Sequence, residues 1–303
     1  MTGPDPGPVP APVSEPVSGL VVVDKPAGMT SHDVVARLRR LAGTRKVGHA
    51  GTLDPMATGV LLVGVNRATR LLGHLTLTEK AYDATIRLGS TTTTDDAEGE
   101  TVASGSVQHL TEDDVRAAAG AFVGAIEQKP SAVSAIKVDG TRAYARVRAG
   151  EDVDLPARTV TIHSLLVTDV RPGPGSWDVD ITVRCSSGTY VRAIARDLGV
   201  ALGPGGHLTA LRRTAVGPFT LAEARTLDDL ADGFGVVPLD DVARRCFPTY
   251  SLTADQARDV GFGRRLETDL GDAGPVAVLD PDGRFLALYE QRGPVAAPVA
   301  VFS

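Results

Sequence analysis

An α+β architecture is predicted by three observations. Short apolar runs and alternating stretches read as strands, and they are interspersed with amphipathic helices. The order lacks the regular strand–helix–strand rhythm of a doubly wound sheet. Residues 247–303 carry mostly strand and turn patterns, which marks a small appended β domain. The chain has 303 residues, 43% of them hydrophobic, enough for about two domains with real cores.

Residues 1–18 hold prolines at 4, 6, 8, 10, 12 and 16 and almost no large apolar side chains. Such a segment cannot bury enough surface to order itself, and it reads as a disordered extension. Order begins at Gly19. Leu20–Val23 is a fully apolar run, a buried strand, ending in the turn Asp24–Gly28. Thr30 and Asp33 have capping-box spacing, and Val34, Leu38 and Leu41 follow at helical intervals. Residues 43–59, GTRKVGHAGTLDPMATG, have little periodicity and read as a loop, followed by a strand over Val60–Val65. From Tyr82 to Leu88 the pattern alternates, with Tyr82, Ala84, Ile86 and Leu88 on the apolar face.

Residues 90–106 are rich in Thr, Asp, Gly and Ser and read as a surface loop. Thr111 and Asp114 cap a helix whose apolar stripe runs through Val115, Ala118, Ala119, Phe122 and Ile126. Residues 129–158 read as a long basic excursion from the core. Val160–Val170 and Trp177–Cys185 are strands, broken by Ser186-Ser187-Gly188, and a helix runs from about Thr189 to Leu198. A boundary falls near Cys246–Tyr250. Beyond it, Thr253 and Gln256 start a short helix, and Val276–Leu279, Phe285–Tyr289 and Val295–Phe302 are strands.

Several function classes drop out. The two cysteines, Cys185 and Cys246, have no partner nearby in sequence, which speaks against a disulfide framework or a cysteine-based zinc site. The six histidines show no metal-binding spacing. No P-loop, dinucleotide fingerprint or G-x-S-x-G is present. The longest apolar run, Gly59–Val65, is too short to span a bilayer, and no signal peptide is visible. A soluble cytoplasmic protein is expected.

The formal net charge of −6 speaks at first against a nucleic-acid partner. Its distribution says otherwise. Residues 24–50, 129–148 and 184–213 each net +4, leaving −18 on the rest of the chain. If these windows converge in space, a positive face stands on an acidic body, the electrostatic footprint of a nucleic-acid binder. Solvated helix faces that never meet would give the same count.

One loop stands out for chemistry. GHAGTLDPMATG, residues 48–59, sets a lone carboxylate, Asp54, between glycine-rich backbone and a strand. By itself Asp-Pro is a turn, His49 a loop or core histidine, Tyr82 a core aromatic, and Tyr190 with Arg192 the start of a helix. Together they carry more. The strings DKPAGMTSHDVV (24–35), KVGHAGTLDPMATGVLLVGVNRATR (46–70), KAYDATIRLGSTTTTDDAEG (80–99), QKPSAVSAIKVDGTRAYARVRAG (128–150), CSSGTYVRAIARDLG (185–199) and GGHLTALRRTAVGPF (205–219) resemble the TruB family of tRNA pseudouridine synthases. The resemblance runs in order from about Gly19 to Leu239.

It implies the pseudouridine synthase fold, a central mixed, mostly antiparallel sheet flanked by helices and loops. It places a catalytic domain at 19–246 and a PUA-like RNA-binding domain at 247–303. It implies isomerisation of the T-loop uridine, position 55 of tRNA, after extrusion of the base into a pocket. No cofactor or metal is required. The partner is the T-arm stem-loop of tRNA, and the enzyme is expected to act as a monomer, away from membranes.

By the same resemblance Asp54 is the nucleophile, acting either at the ribose C1′ or at C6 of the uracil. Tyr82 stacks on the target base and serves in proton abstraction. Arg192 pairs with Asp54 and would lower its pKa, and Tyr190 lines the pocket. Lys25 and Pro26 match a motif that supports the catalytic loop. The basic windows and the resemblance together nominate Lys25, Lys46, His49, Arg142, Arg146, Arg148, Arg212 and Arg213 as RNA-binding residues. Two departures, the Pro-rich head and Ala50, stand away from this chemistry.

Overall fold

The computed structural model describes residues 17–131, 137–138, 141–142, 155–271 and 274–302. In chain order the first elements are β1 (Gly19–Lys25), α1 (Ser31–Leu41), β2 (Val47–Ala50), β3 (Thr58–Val65), α2 (Leu72–Thr76) and β4 (Lys80–Leu88). Next come β5 (Ser90–Thr92), β6 (Thr101–Ser104), α3 (Glu112–Gly120), β7 (Gly124–Gln128), β8 (Lys137–Val138) and β9 (Thr141–Arg142). Then follow β10 (Arg158–Arg171), β11 (Trp177–Cys185), α4 (Val191–Leu202), β12 (Gly206–Val216), β13 (Phe219–Thr220), α5 (Leu227–Asp232), β14 (Val237–Pro238) and α6 (Leu239–Cys246). The chain ends with β15 (Thr249–Ser251), α7 (Ala254–Gly261), β16 (Val276–Leu279), β17 (Phe285–Arg292) and β18 (Val295–Val301).

The central sheet runs β14-β1-β3-β12-β4-β11-β10-β7, with β2 beside β3 and β13 beside β12. Its pairings are antiparallel except β3 with β12, so the sheet is mixed and mostly antiparallel. Thr30 and Thr111 each close a capping box, with Asp33 and Asp114. β4 buries Tyr82, Ala84, Ile86 and Leu88, the face that its alternation marks.

Three expectations change. The helix capped by Thr111 ends at Gly120, so its stripe stops short of Phe122, and Ile126 lies on β7, paired with Val160 of β10. The 43–59 segment is not wholly a loop: Val47–Ala50 pairs with Val65–Leu62 of β3. The 90–106 segment is not wholly a surface loop. It forms the β5–β6 ribbon and sends Asp96 into the interior, where Ala97 N donates to the Leu208 carbonyl.

The sheet separates two cores. On one face α1, α3 and α4 pack Val34, Leu38, Val115, Ile194 and Leu198 against Leu61, Val63, Ile86 and Ile181. On the other, Leu20, Val22, Val60 and Leu62 share a core with Ala277, Leu279, Phe285, Leu288 and Phe302 of the second sheet, β15-β16-β17-β18.

One edge of β3 has two neighbours, and this positions the site. β12 pairs with Thr58 and Gly59, while β2 pairs with Leu62–Val65. The connection 51–57 therefore leaves β2 and re-enters β3 at the gap between them. Gly59 is required at that seam. Its φ is +100°, and a Cβ there would stand 2.2 Å from the Arg213 carbonyl oxygen.

Candidate active site

The 51–57 loop is held from three sides. The buried hydroxyl of Ser31, first residue of α1, accepts from Leu53 N at 2.9 Å and donates to the Leu53 carbonyl at 3.2 Å. Gly28 N donates to the Pro55 carbonyl. Lys25, 0% exposed, places its ammonium on the carbonyls of Pro26, Met29 and Pro55. Arg213, 1% exposed, donates to the carbonyls of Gly51, Thr52 and Val60. The loop thus presents Asp54 on a fixed backbone.

Asp54 faces a pocket of about 270 Å³ lined also by Lys80, Tyr82, Arg158, Tyr190, Arg192, Leu211 and Arg213. Arg192, on the first turn of α4 and nearly buried, sets Nε 3.0 Å from Asp54 Oδ2. Its Nη1 donates to the Thr94 carbonyl at 3.0 Å and stands 3.4 Å from Asp96 Oδ2. One guanidinium thus bridges two carboxylates, and the second comes from the 90–106 segment.

The ionisation of Asp54 runs against expectation. Burial raises its pKa above the ordinary carboxylate value, and the attraction of Arg192 does not reverse this. Desolvation is the largest influence and outweighs Arg192, and the nearby Asp96 carboxylate, which Arg192 also faces, adds repulsion in the same direction. Burial also raises the Tyr82 phenol, so Tyr82 is neutral at ordinary pH. That favours a stacking surface and disfavours a phenolate base. Lys80 donates to the Thr76 and Thr78 carbonyls, and burial draws its pKa down to about 8.

Tyr190 is the N-cap of α4 and has no side-chain cap. Gln128, 1% exposed, holds its peptide instead: Tyr190 N donates to Oε1 at 2.8 Å, and Nε2 donates to the Tyr190 carbonyl at 3.0 Å. Ser31, Asp96 and Gln128 lie inside the strings that carry the resemblance, yet none was nominated for the site. The only further trace is a polar residue at a strand end or helix start that nothing local uses.

The structure redistributes the nominated RNA-binding residues. Lys25 and Arg213 are both buried, Lys25 with its ammonium on three backbone carbonyls and Arg213 donating to three more, so neither stands on the surface where phosphate would meet it first. Lys25 instead braces the 51–57 loop through the Pro55 carbonyl. Arg212 neighbours Arg213 on a strand and so faces the opposite side. There it binds Asp24 through both amino groups, at 3.0 and 2.7 Å.

Every cation of the 184–213 window has an internal partner. Arg184 pairs with Glu79, and Arg196 with Asp95 and Asp197. The exposed cations near the loop are Arg39, Arg40, Arg45 and Lys46. His49 is half-buried, edge-on to His32 at 5.3 Å. For Arg142 only the backbone is described, and Arg146 and Arg148 lie outside the described residues. Among the described residues no group of acidic, histidine or cysteine side chains could hold a metal ion, and no helix is long and apolar enough to cross a membrane.

Residues 39–191 match the N-terminal domain of the TruB family pseudouridylate synthases. The chain belongs to the TruB family. Residues 192–240 match the tRNA pseudouridylate synthase B C-terminal domain, and 247–303 the C-terminal region of tRNA pseudouridine synthase II.

This TruB-family chain is 58% identical over 296 residues to the tRNA pseudouridine synthase B of Arthrobacter sp., covering 94% of this chain and 97% of the relative. It is 59% identical over 289 residues to that of Thermobifida fusca, covering 94% and 98%. Among solved structures it is similar to a chain of a Cbf5-Nop10-Gar1 complex, with TM-score 0.73, 26% identity and coverage of 94% and 85%. It is also similar to a chain of an H/ACA RNP bound to a substrate RNA containing 2′-deoxyuridine, with TM-score 0.71, 25% identity and the same coverage. The fold is that of the pseudouridine synthases, and the protein is an isomerase.

Proposed function

We propose that this TruB-family isomerase converts the T-loop uridine of tRNA, position 55, to pseudouridine, with Asp54 as the nucleophile. The observation that carries the reading is the placement of Asp54 beside Arg192 in a pocket of about 270 Å³ that Tyr82 also lines. The names of the relatives supply the RNA.

The reaction needs no outside reagent. The C1′–N1 bond breaks, the uracil turns, and a C1′–C5 bond forms. C5 loses its proton and N1 gains one. The uridine must first leave the loop stack to reach the pocket. The neutral Tyr82 ring then offers its face to the base. Ionised Asp54 begins the reaction either by displacing N1 at C1′ or by adding to C6. Both routes use a desolvated carboxylate, more basic than one in water. Arg192 fixes its orientation and balances its charge.

Arg39, Arg40, Arg45 and Lys46 offer charge to the T-arm phosphates, and residues 247–303 form an RNA-binding domain. His49 positions the RNA beside the catalytic loop. The enzyme acts as a monomer.

The test is incubation of the purified protein with a T-arm stem-loop and no cofactor, read by a pseudouridine-selective chemical probe. Mass-neutral conversion of the single T-loop uridine is expected. Conversion elsewhere in the RNA, or none, would overturn the assignment.

A further inference from the structure

We propose that Arg158 is a phosphate-binding residue of this site: the edge of its guanidinium formed by Nε and Nη2 receives two oxygens of a phosphate flanking the flipped uridine. The inference rests on the function proposed above and adds a contact to it.

Arg158 is the first residue of β10, and its partner across β7 is Gln128. The two converge on Tyr190. Gln128 clamps its peptide, and the Arg158 guanidinium carbon lies 4.8 Å from the centre of its ring. Arg158 thereby lines the same pocket as Asp54.

Its hydrogen bonding sets it apart. Nε and Nη2 are both buried and have no acceptor among the described residues. A buried charged donor without an acceptor is costly, and such groups are rare in folded proteins. Nε–H and Nη2–H point in the guanidinium plane from one edge, spaced to meet two oxygens of a carboxylate or phosphate. The protein uses this edge elsewhere for that purpose. Arg87 binds Asp178 through Nε and Nη2, both at 2.8 Å. Arg192 turns Nε to Asp54, and Arg196 turns Nε to Asp197.

The carboxylate that lines the pocket, Asp54, is already paired with Arg192, and no other carboxylate among the described residues lines it. RNA brings one anion per nucleotide. A base flipped into a pocket of about 270 Å³ carries its flanking phosphates to the pocket edge. The half-buried Arg158 stands at that edge. Its aliphatic stem lets the guanidinium meet the phosphate while keeping contact with the Tyr190 ring.

The experiment uses T-arm stem-loops in which a neutral methylphosphonate replaces the phosphate on the 5′ or the 3′ side of the target uridine. Binding is measured in the Asp54→Asn background, so that the RNA stays unmodified. Arg158→Met is expected to weaken binding of the unmodified stem-loop about tenfold, and Arg158→Lys to recover part of the loss as a point charge without the fork. One of the two methylphosphonates is expected to weaken the Arg158 protein by a similar factor and to cost Arg158→Met nothing more. The other should add its effect to that of the substitution. Additive effects at both phosphates would overturn the proposal and assign Arg158 to the support of Tyr190 or to a uracil carbonyl. If the wild-type protein fails to convert the unmodified stem-loop, the functional reading fails instead, and the binding cycle still decides Arg158.

Discussion

The pocket and the junction with the second sheet both bury large side chains against the same central strands, but of opposite kinds. At the pocket the chain buries Lys25, Arg192 and Arg213 and recesses Asp54. At the junction it buries Leu20, Val22, Leu62, Leu279, Phe285 and Leu288. Apolar burial at the junction stabilises the fold in proportion to area. Charge burial at the pocket costs desolvation, which internal partners offset only in part. The difference teaches that the pocket is arranged for chemistry at some expense in stability. The junction supplies part of what offsets that expense.

The strongest way to break this comparison is Asp54→Asn. Turnover is expected to fall by about 10³-fold or more, with T-arm binding retained. Measurable pseudouridine formation by the variant would remove Asp54 as nucleophile. Stability should move the other way. The folded-state pKa of Asp54 is raised, so the folded protein holds the extra proton just above the ordinary aspartate range. Ionising Asp54 therefore costs stability as pH rises through that window, and the cost is complete above it. Asp54→Asn is expected to melt higher than the parent at neutral pH, with the gap closing as pH falls toward about 4. A lower melting temperature at neutral pH would mean that Arg192 more than compensates the burial.

Leu288→Ala probes the other side. The residue is fully buried at the junction. Its truncation is expected to cost about 2–5 kcal/mol in stability, measured by denaturant unfolding, with kcat unchanged below the melting transition. A fall in kcat would show that junction packing shapes the pocket. The smallest effect belongs to the surface. Lys46→Ala is expected to weaken stem-loop binding modestly and to lower the slope of log affinity against log salt by about one. An unchanged slope would place Lys46 away from the RNA.

Much of the scaffold was legible in the sequence because periodicity reports burial. The alternation from Tyr82 to Leu88 gave that strand and its inner face, and the Thr30 and Thr111 boxes marked two helix starts. The strand Val47–Ala50 escaped because it is four residues long, half glycine and small residues, and owes its conformation to β3. Asp54, Tyr82, Tyr190 and Arg192 were found only in combination, through their motifs, and the fold brings them to one pocket. Asp96, Ser31 and Gln128 lie inside the motif strings, but nothing local marked their roles, since each acts on residues far along the chain. The charge windows misled in part because they count cations and not partners. Arg213 and Arg212 add equally to such a count, yet one is buried on carbonyls and the other paired with Asp24 on the opposite face.

By itself the amino-acid sequence determined the α+β class, most strands and helices, the family and the candidate residues of the site. These rest on local periodicity and on side-chain identity, which a linear string carries in full. Only the tertiary structure decided which charges stay in water, why Asp54 holds its proton more tightly despite Arg192, and which arginine edge is left for a phosphate. Each of those depends on the dielectric and the partners around a group, and both are assembled from segments that meet only when the chain is folded.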